Sequence, residues 1–126
     1  MNLKKNKTYI IAEIGNNHNG KYSLAKKSII AAANCGANAV KFQSYSSEEF
    51  MSNKNLIYKY KTFRGFKKEK MYKMFQRLEF KKEWYIPLFS LCKKLKIDFL
   101  SSSIKISLSL YLKFFLNQTI LFDICN

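Results

Sequence analysis

A chain of 126 residues, 48% of them hydrophobic, is sized for one ordinary domain and has enough apolar mass to bury a core. Lys and Arg number 23 against 8 Asp and Glu, a net charge of +15 that suits nucleic acid, acidic membranes or anionic metabolites. Cys35, Cys92 and Cys125 are far apart, odd in number and form no CxxC pair, so neither a disulfide framework nor a zinc knuckle is suggested, and no apolar run reaches the roughly 18 residues of a membrane span.

Residues 8–14 are β-rich and mostly apolar, which predicts a strand covered on both faces, and residues 15–20 read as a turn-rich loop. Ser23 is the expected N-cap of a helix over about 24–34. Leu24, Ser28, Ala31, Ala32 and Cys35 would share one face, and Gly36 stands just past the helix end. A second short strand follows over about 39–43, and its Lys41 and Gln43 share a face because strand side chains alternate. Residues 44–65 are polar and aromatic without a sustained period, so a long functional loop is expected there. Residues 67–77 predict a short helix with Met71, Met74 and Phe75 on one side. Residues 82–95 predict another, with Leu88, Leu91, Cys92 and Leu95 inward and Pro87 confined to the first turn or kinking it. Residues 97–100 read as a third strand ending at Ser101, Ser102 and Ser103. The tail, 104–126, follows neither period, and its apolar part is short and broken by Lys105 and Lys113. This order favours a parallel sheet with right-handed crossovers.

In parallel α/β folds, catalytic groups gather where strands end. Glu13, His18, Lys41, Gln43 and Ser102 all lie at or just past an expected strand C-terminus. A carboxylate, an imidazole, an ammonium, an amide and a hydroxyl on one rim would suit an anionic, phosphorylated substrate. Each has a plainer role as well. A Glu inside an apolar strand is costly unless paired, so Glu13 is either a working carboxylate or the structural partner of Lys41. His18 is more often a loop-stabilising hydrogen bonder than a metal ligand. Asn16, Asn17 and Asn19 shape turns as readily as they touch ligands. The scattered lysines admit a compositional bias as well as a binding field. A reading from another class is a small basic nucleic-acid-binding protein that stacks bases on the aromatic stretch 45–63, though no recognised binding motif supports it.

The run Ile11-Ala12-Glu13-Ile14-Gly15-Asn16-Asn17-His18-Asn19-Gly20, then Ala25-Lys26-Lys27, then Gly36-Ala37-Asn38-Ala39-Val40-Lys41-Phe42-Gln43, resembles the start of the N-acetylneuraminate (sialic acid) synthase family. That family includes the legionaminic and pseudaminic acid synthases. Ile97-Asp98-Phe99-Leu100-Ser101-Ser102-Ser103 resembles its third barrel strand, so the resemblance covers about residues 8–103. It implies an α/β fold: an incomplete (β/α)8 TIM barrel of roughly the first three β/α units, since a closed barrel takes about 250 residues. On this view residues 1–103 are the opening of the barrel domain, and 104–126 are a divergent tail of a truncated or frameshifted synthase.

The resemblance further implies a condensation of phosphoenolpyruvate with an N-acylated amino sugar, giving a nine-carbon 2-keto acid and inorganic phosphate. A divalent metal, Mn or Mg, would polarise the sugar aldehyde. By position, Glu13 looks like the family's active-site carboxylate, Lys41 like a cationic contact to phosphoenolpyruvate and Gln43 like a sugar contact. Asn17 and His18, in the same motif, are carried over as further substrate contacts. Ser102 stands where the family has Thr in Ser-Thr-Pro-Phe and keeps the hydroxyl, whereas Ser103 and Ile104 depart from the Pro and Phe. The family's two metal-binding histidines lie later in the barrel, so no metal ligand is assigned here and this chain alone is expected to be inactive. The remaining expectations are small-molecule substrates, a homodimer for the complete enzyme, a cytoplasmic location, free thiols, and neither nucleic acid nor membrane as partner.

Overall fold

A computed structural model describes residues 8–103. Three strands, β1 (Ile11–Gly15), β2 (Ala39–Ser44) and β5 (Asp98–Ser103), form a parallel sheet in the order β1-β2-β5. Ile11 lies beside Ala39 and Glu13 beside Lys41, while Lys41 lies beside Leu100 and Gln43 beside Ser102. Two helices, α1 (Tyr22–Asn34) and α4 (Tyr85–Leu95), supply the crossovers. The sheet is therefore built as the alternating order of elements requires.

One face of the sheet carries the core. Ile14, Val40, Phe42 and Phe99 point toward the helices and meet Ala25 and Ile29 of α1 and Tyr85, Leu88 and Cys92 of α4. Phe80 and Trp84, just before α4, complete the cluster, with Phe80 5.0 Å from the Phe42 ring and 4.7 Å from Tyr85. Removing each large side chain from water stabilises the fold by about 1.5–3 kcal/mol.

The inward face of α1 is Ala25, Ile29 and Ala32; of the expected Leu24, Ser28, Ala31, Ala32 and Cys35 stripe only Ala32 packs against the core, and the face is centred one residue round from it. The helix starts at Tyr22 after Lys21, and Ser23 makes no cap. The rotation places Ile29, fully buried, in the cluster with Val40 and Phe42. The helix ends as expected: Gly36 adopts φ +81°, and the Gly36 and Ala37 N–H groups donate to Ala33 and Ala32 carbonyls at 3.0 Å.

The expected long loop over 44–65 is corrected by the structure. It contains a helical turn, α2 (Ser47–Phe50), and the strand β3 (Ile57–Thr62). That strand pairs antiparallel with β4 (Gly65–Lys70) across a two-residue turn, Phe63-Arg64. The helix expected over 67–77 accordingly begins only at Met71, as α3 (Met71–Leu78). Tyr58 and Tyr60 alternate with Lys59 and Lys61, a period of two, and the register sets Tyr58 opposite Glu69 and Tyr60 opposite Lys67. Met71, Met74 and Phe75 are half-buried on α3, with the Phe75 ring 5.0 Å from Phe50. The helix expected over 82–95 opens as a 3-10 turn, Lys82–Trp84, and Pro87 sits in the first turn of α4. The expectations for residues 104–126 lie outside the described residues.

Candidate functional site

The sheet face away from the helices holds the polar set. Glu13 on β1 and Lys41 on β2 are register neighbours and point to the same side, with Lys41 Nζ 3.2 Å from a Glu13 carboxylate oxygen. The Lys41 side chain is 19% exposed and that of Glu13 50% exposed. The ammonium is thus held mostly out of water, while its carboxylate partner stays open to solvent.

Two residues further along β2, Gln43 lies on the same face. Asn16 Nδ2 donates to Gln43 Oε1 at 3.2 Å. Between Glu13 and Gly15 the register slips, so that Gly15 rather than Ile14 stands beside Phe42. Gly15 takes φ +50°, and a side chain built there would point between the Glu13 carboxylate, 3.5 Å away, and the Gln43 amide, 3.7 Å away. The bulge turns the chain at the strand end and leaves the space between those two groups empty.

Ser102 is the register neighbour of Gln43 and is half-buried, its hydroxyl donating to the Phe42 carbonyl at 3.4 Å. Glu13, Lys41, Gln43 and Ser102 are therefore gathered on one side of three adjacent strands, two of them in direct contact. Asn17 sits exposed in the loop after β1, its N–H donating to the Ile14 carbonyl at 2.9 Å.

His18 is placed elsewhere. Its ring is fully buried, 6.2 Å from Phe42, 5.8 Å from Phe80 and 5.5 Å from Trp84, on the helix-facing side of the sheet. Nδ1 accepts from the Gly20 N–H at 3.1 Å, while Nε2 is buried without a hydrogen-bond partner. Burial pushes its pKa below the ordinary 6.5. The imidazole holds the loop from within the aromatic core and does not join the Lys41 cluster.

Two features at this end of the sheet escaped the sequence reading. Asn16, given no side-chain partner by the sequence, reaches Gln43. On the other face, Ser44 and Ser101 hydroxyls lie 2.5 Å apart, and the buried Tyr85 hydroxyl donates to Ser44. This bridge fastens the ends of β2 and β5 immediately beside Gln43 and Ser102. Its only trace in the sequence is a hydroxyl residue at each of two neighbouring strand ends.

The divalent ion that the resemblance implies finds no donor set among the described residues. No group of three or more His, Cys, Asp or Glu side chains is gathered there, and Glu13 faces an ammonium instead of another anionic or imidazole donor. No described helix is long and apolar enough to cross a membrane.

Comparison with known proteins gives a concordant result. The model of the NeuB family matches residues 28–115. The chain is 42% identical over 96 residues to the N,N'-diacetyllegionaminic acid synthase of Campylobacter jejuni, covering 76% of this chain and 29% of that protein. It is 38% identical over 94 residues to the spore coat polysaccharide biosynthesis protein SpsE of Bacillus subtilis, covering 75% of this chain and 24% of that one. Among solved structures, the N-acetylneuraminic acid (sialic acid) synthetase of Leptospira borgpetersenii, in complex with citrate, superimposes with a TM-score of 0.72 at 28% identity. That match covers 90% of this chain and 37% of the other. The chain spans about a quarter of the length of the curated relatives it matches.

Proposed function

The chain belongs to the NeuB family, and from that membership we propose that it is the opening part of a sialic-acid-type synthase barrel that binds phosphoenolpyruvate beside an N-acylated amino sugar. The observation that carries this reading is the Glu13–Lys41 pair on adjacent parallel strands, 3.2 Å apart and on the face away from the helices. An ammonium kept mostly from water attracts a carboxylate or phosphate more strongly than one on an open surface. Glu13 holds that ammonium in place while the site is empty and remains solvent-accessible for proton handling. The Gln43 amide, fixed by Asn16, and the Ser102 hydroxyl flank it as neutral hydrogen-bonding groups for the enolpyruvyl group or the sugar. In this reading Asn17 contributes from the loop, and His18 acts through loop shape, with no contact to substrate. The chemistry is carbon–carbon bond formation with release of inorganic phosphate, and the substrates are small molecules. Since three strands provide one sector of a mouth, turnover belongs to the complete synthase, a metal-dependent homodimer.

The test is a chimera in which residues 8–103 replace the matching segment of the Campylobacter relative. It is expected to release phosphate from phosphoenolpyruvate in the presence of that synthase's sugar substrate, while the 126-residue chain alone releases none. Lys41→Ala in the chimera is expected to raise the KM for phosphoenolpyruvate at least about tenfold. A folded chimera whose KM ignores Lys41 would refute the assignment, and steady turnover by the chain alone would refute the incomplete site.

A further inference from the structure

The β3–β4 hairpin has two unlike faces. On one, Glu69 is the only acid of the hairpin and is fully engaged. It accepts two hydrogen bonds from Arg77 at 3.0 and 3.1 Å and one from the Tyr60 hydroxyl at 2.5 Å, and lies 3.1 Å from Lys67. That face is tied to α3. The register places Ile57, Lys59, Lys61, Phe66, Lys68 and Lys70 on the other face, all exposed and without one acidic side chain among them. Lys59 stands directly opposite Lys68, an arrangement that costs a two-stranded ribbon stability through like-charge repulsion. At the turn, Phe63 is 93% exposed, and Phe66 beside it is 71% exposed.

A face that repels itself and presents large apolar rings to water is suited to an anionic partner with an apolar interior. We infer that this hairpin is an adhesion element for an anionic phospholipid bilayer. Phe63 and Phe66 enter the boundary between headgroups and acyl chains, and Lys59, Lys61, Arg64 and Lys68 remain at the phosphate plane. The positions of the cations select the bilayer over a single-stranded nucleic acid. Arg64 lies over the Phe63 ring at 5.2 Å and Lys59 over the Phe66 ring at 4.8 Å. The face of each ring that lies under its cation is closed to a stacked base. The most exposed ring also stands at the apex, where it enters a bilayer first but lies off the line of a strand running along the ribbon. Attachment through a hairpin tip is peripheral, in keeping with described helices that do not span a membrane.

The test is co-sedimentation of the full chain with vesicles of phosphatidylcholine alone, or of two parts phosphatidylcholine to one part phosphatidylglycerol, at about 0.1 M salt. Because a chain of charge +15 adsorbs to any acidic surface, the decisive comparisons are between chains of equal charge. Phe63→Ser with Phe66→Ser is expected to weaken binding to the mixed vesicles about tenfold. Lys59→Gln, Lys61→Gln and Lys68→Gln together are expected to weaken it several-fold more than the equally charged control Lys26→Gln, Lys27→Gln and Lys94→Gln. All three sets of side chains are exposed, and unchanged circular dichroism checks the fold. Equal binding by the Phe variant, or equal losses in the two lysine sets, overturns the inference. So does an oligothymidylate affinity that falls with the Phe pair while vesicle binding does not.

Discussion

His18 gives the sharpest quantitative test, because it is the only histidine in the chain and its surroundings act in one direction. The ring is fully buried among Phe42, Phe80 and Trp84, and Nδ1 already accepts the Gly20 N–H. A second proton would have to go on Nδ1, displacing that hydrogen bond and placing a cation among aromatic rings. Burial accordingly lowers the folded pKa below 6.5. The unfolded chain, with an ordinary imidazole, then binds more protons than the folded chain below about pH 6.5, so stability must fall as pH falls. If the folded imidazole stays neutral, the loss between pH 7.5 and 5.5 approaches about 1.4 kcal/mol, and it levels off once the folded pKa is passed. Burial pushes the Cys92 thiol up to about 12, well above this window, and His18→Leu isolates the part of the slope that belongs to the imidazole. Urea unfolding at the two pH values measures the loss, and the imidazole Cε1–H chemical shift reports the pKa itself. His18→Leu is expected to cost about 1–3 kcal/mol at pH 7.5, since the Gly20 N–H loses its acceptor, and to abolish the pH slope. A measured pKa at or above 6.5, or a slope that survives in His18→Leu, refutes the account.

Three further outcomes follow from the same coordinates. Gly20 has φ +68°, and a side-chain carbon there would fall 2.1 Å from the Arg77 carbonyl oxygen. Gly20→Ala should therefore cost at least about 2 kcal/mol in urea unfolding, whereas Gly36→Ala, at φ +81° in open space, should cost only about 1 kcal/mol. Tyr85→Phe removes the donor to Ser44 beneath β2 and β5, and is expected to cost about 1 kcal/mol and to speed amide exchange at the ends of both strands. Hydrogen bonds from Arg77 and Tyr60 hold the Glu69 carboxyl down at about 2. Its stabilisation is therefore complete above the ordinary carboxylate pKa and lost as pH falls from about 4.5 toward 2. The cations opposite it are nearly half exposed, so the loss is under about 1 kcal/mol and shows as faster exchange in β3 and β4 ahead of global unfolding.

The parallel sheet was legible because its strands are short and mostly apolar, β1 and β2 are separated by one helix-length segment, and β5 directly follows another. The side shared by Lys41 and Gln43 follows from strand alternation, and the structure places both there. The hairpin was not legible from hydrophobicity, because its alternation is of aromatic against lysine and neither of its faces is buried in a core. Its stability comes from cross-strand pairs and from Glu69 reaching Arg77 on α3, polar contacts that a hydrophobic period does not register. His18 illustrates a second limit. An imidazole in a turn-rich loop after a strand looks like a rim residue, and only the return of Phe80 and Trp84 from more than sixty positions along the chain makes it a core residue. The inward face of α1 missed by one position for a related reason, since the helix rotates to place Ile29 in the core.

The core and the candidate site are two consequences of one register. Val40 and Phe42 are both fully buried toward the helices, and Lys41 and Gln43 necessarily take the opposite face. A slip of one residue in β2 would reverse both sets. It would drive the ammonium of Lys41 among Ile29, Leu88 and Tyr85 and separate it from Glu13. Desolvating an unpaired ammonium costs several kcal/mol, and exposing Val40 and Phe42 costs several more. Against penalties of that size no slipped form is populated, and the 3.2 Å contact between Glu13 and Lys41 is enforced by apolar packing on the far side of the sheet. The polar pair therefore need not contribute to stability in order to be held in place. Under the proposed function, that leaves it free to exchange one ionic partner for an anionic substrate, which a pair responsible for holding the fold together could not do.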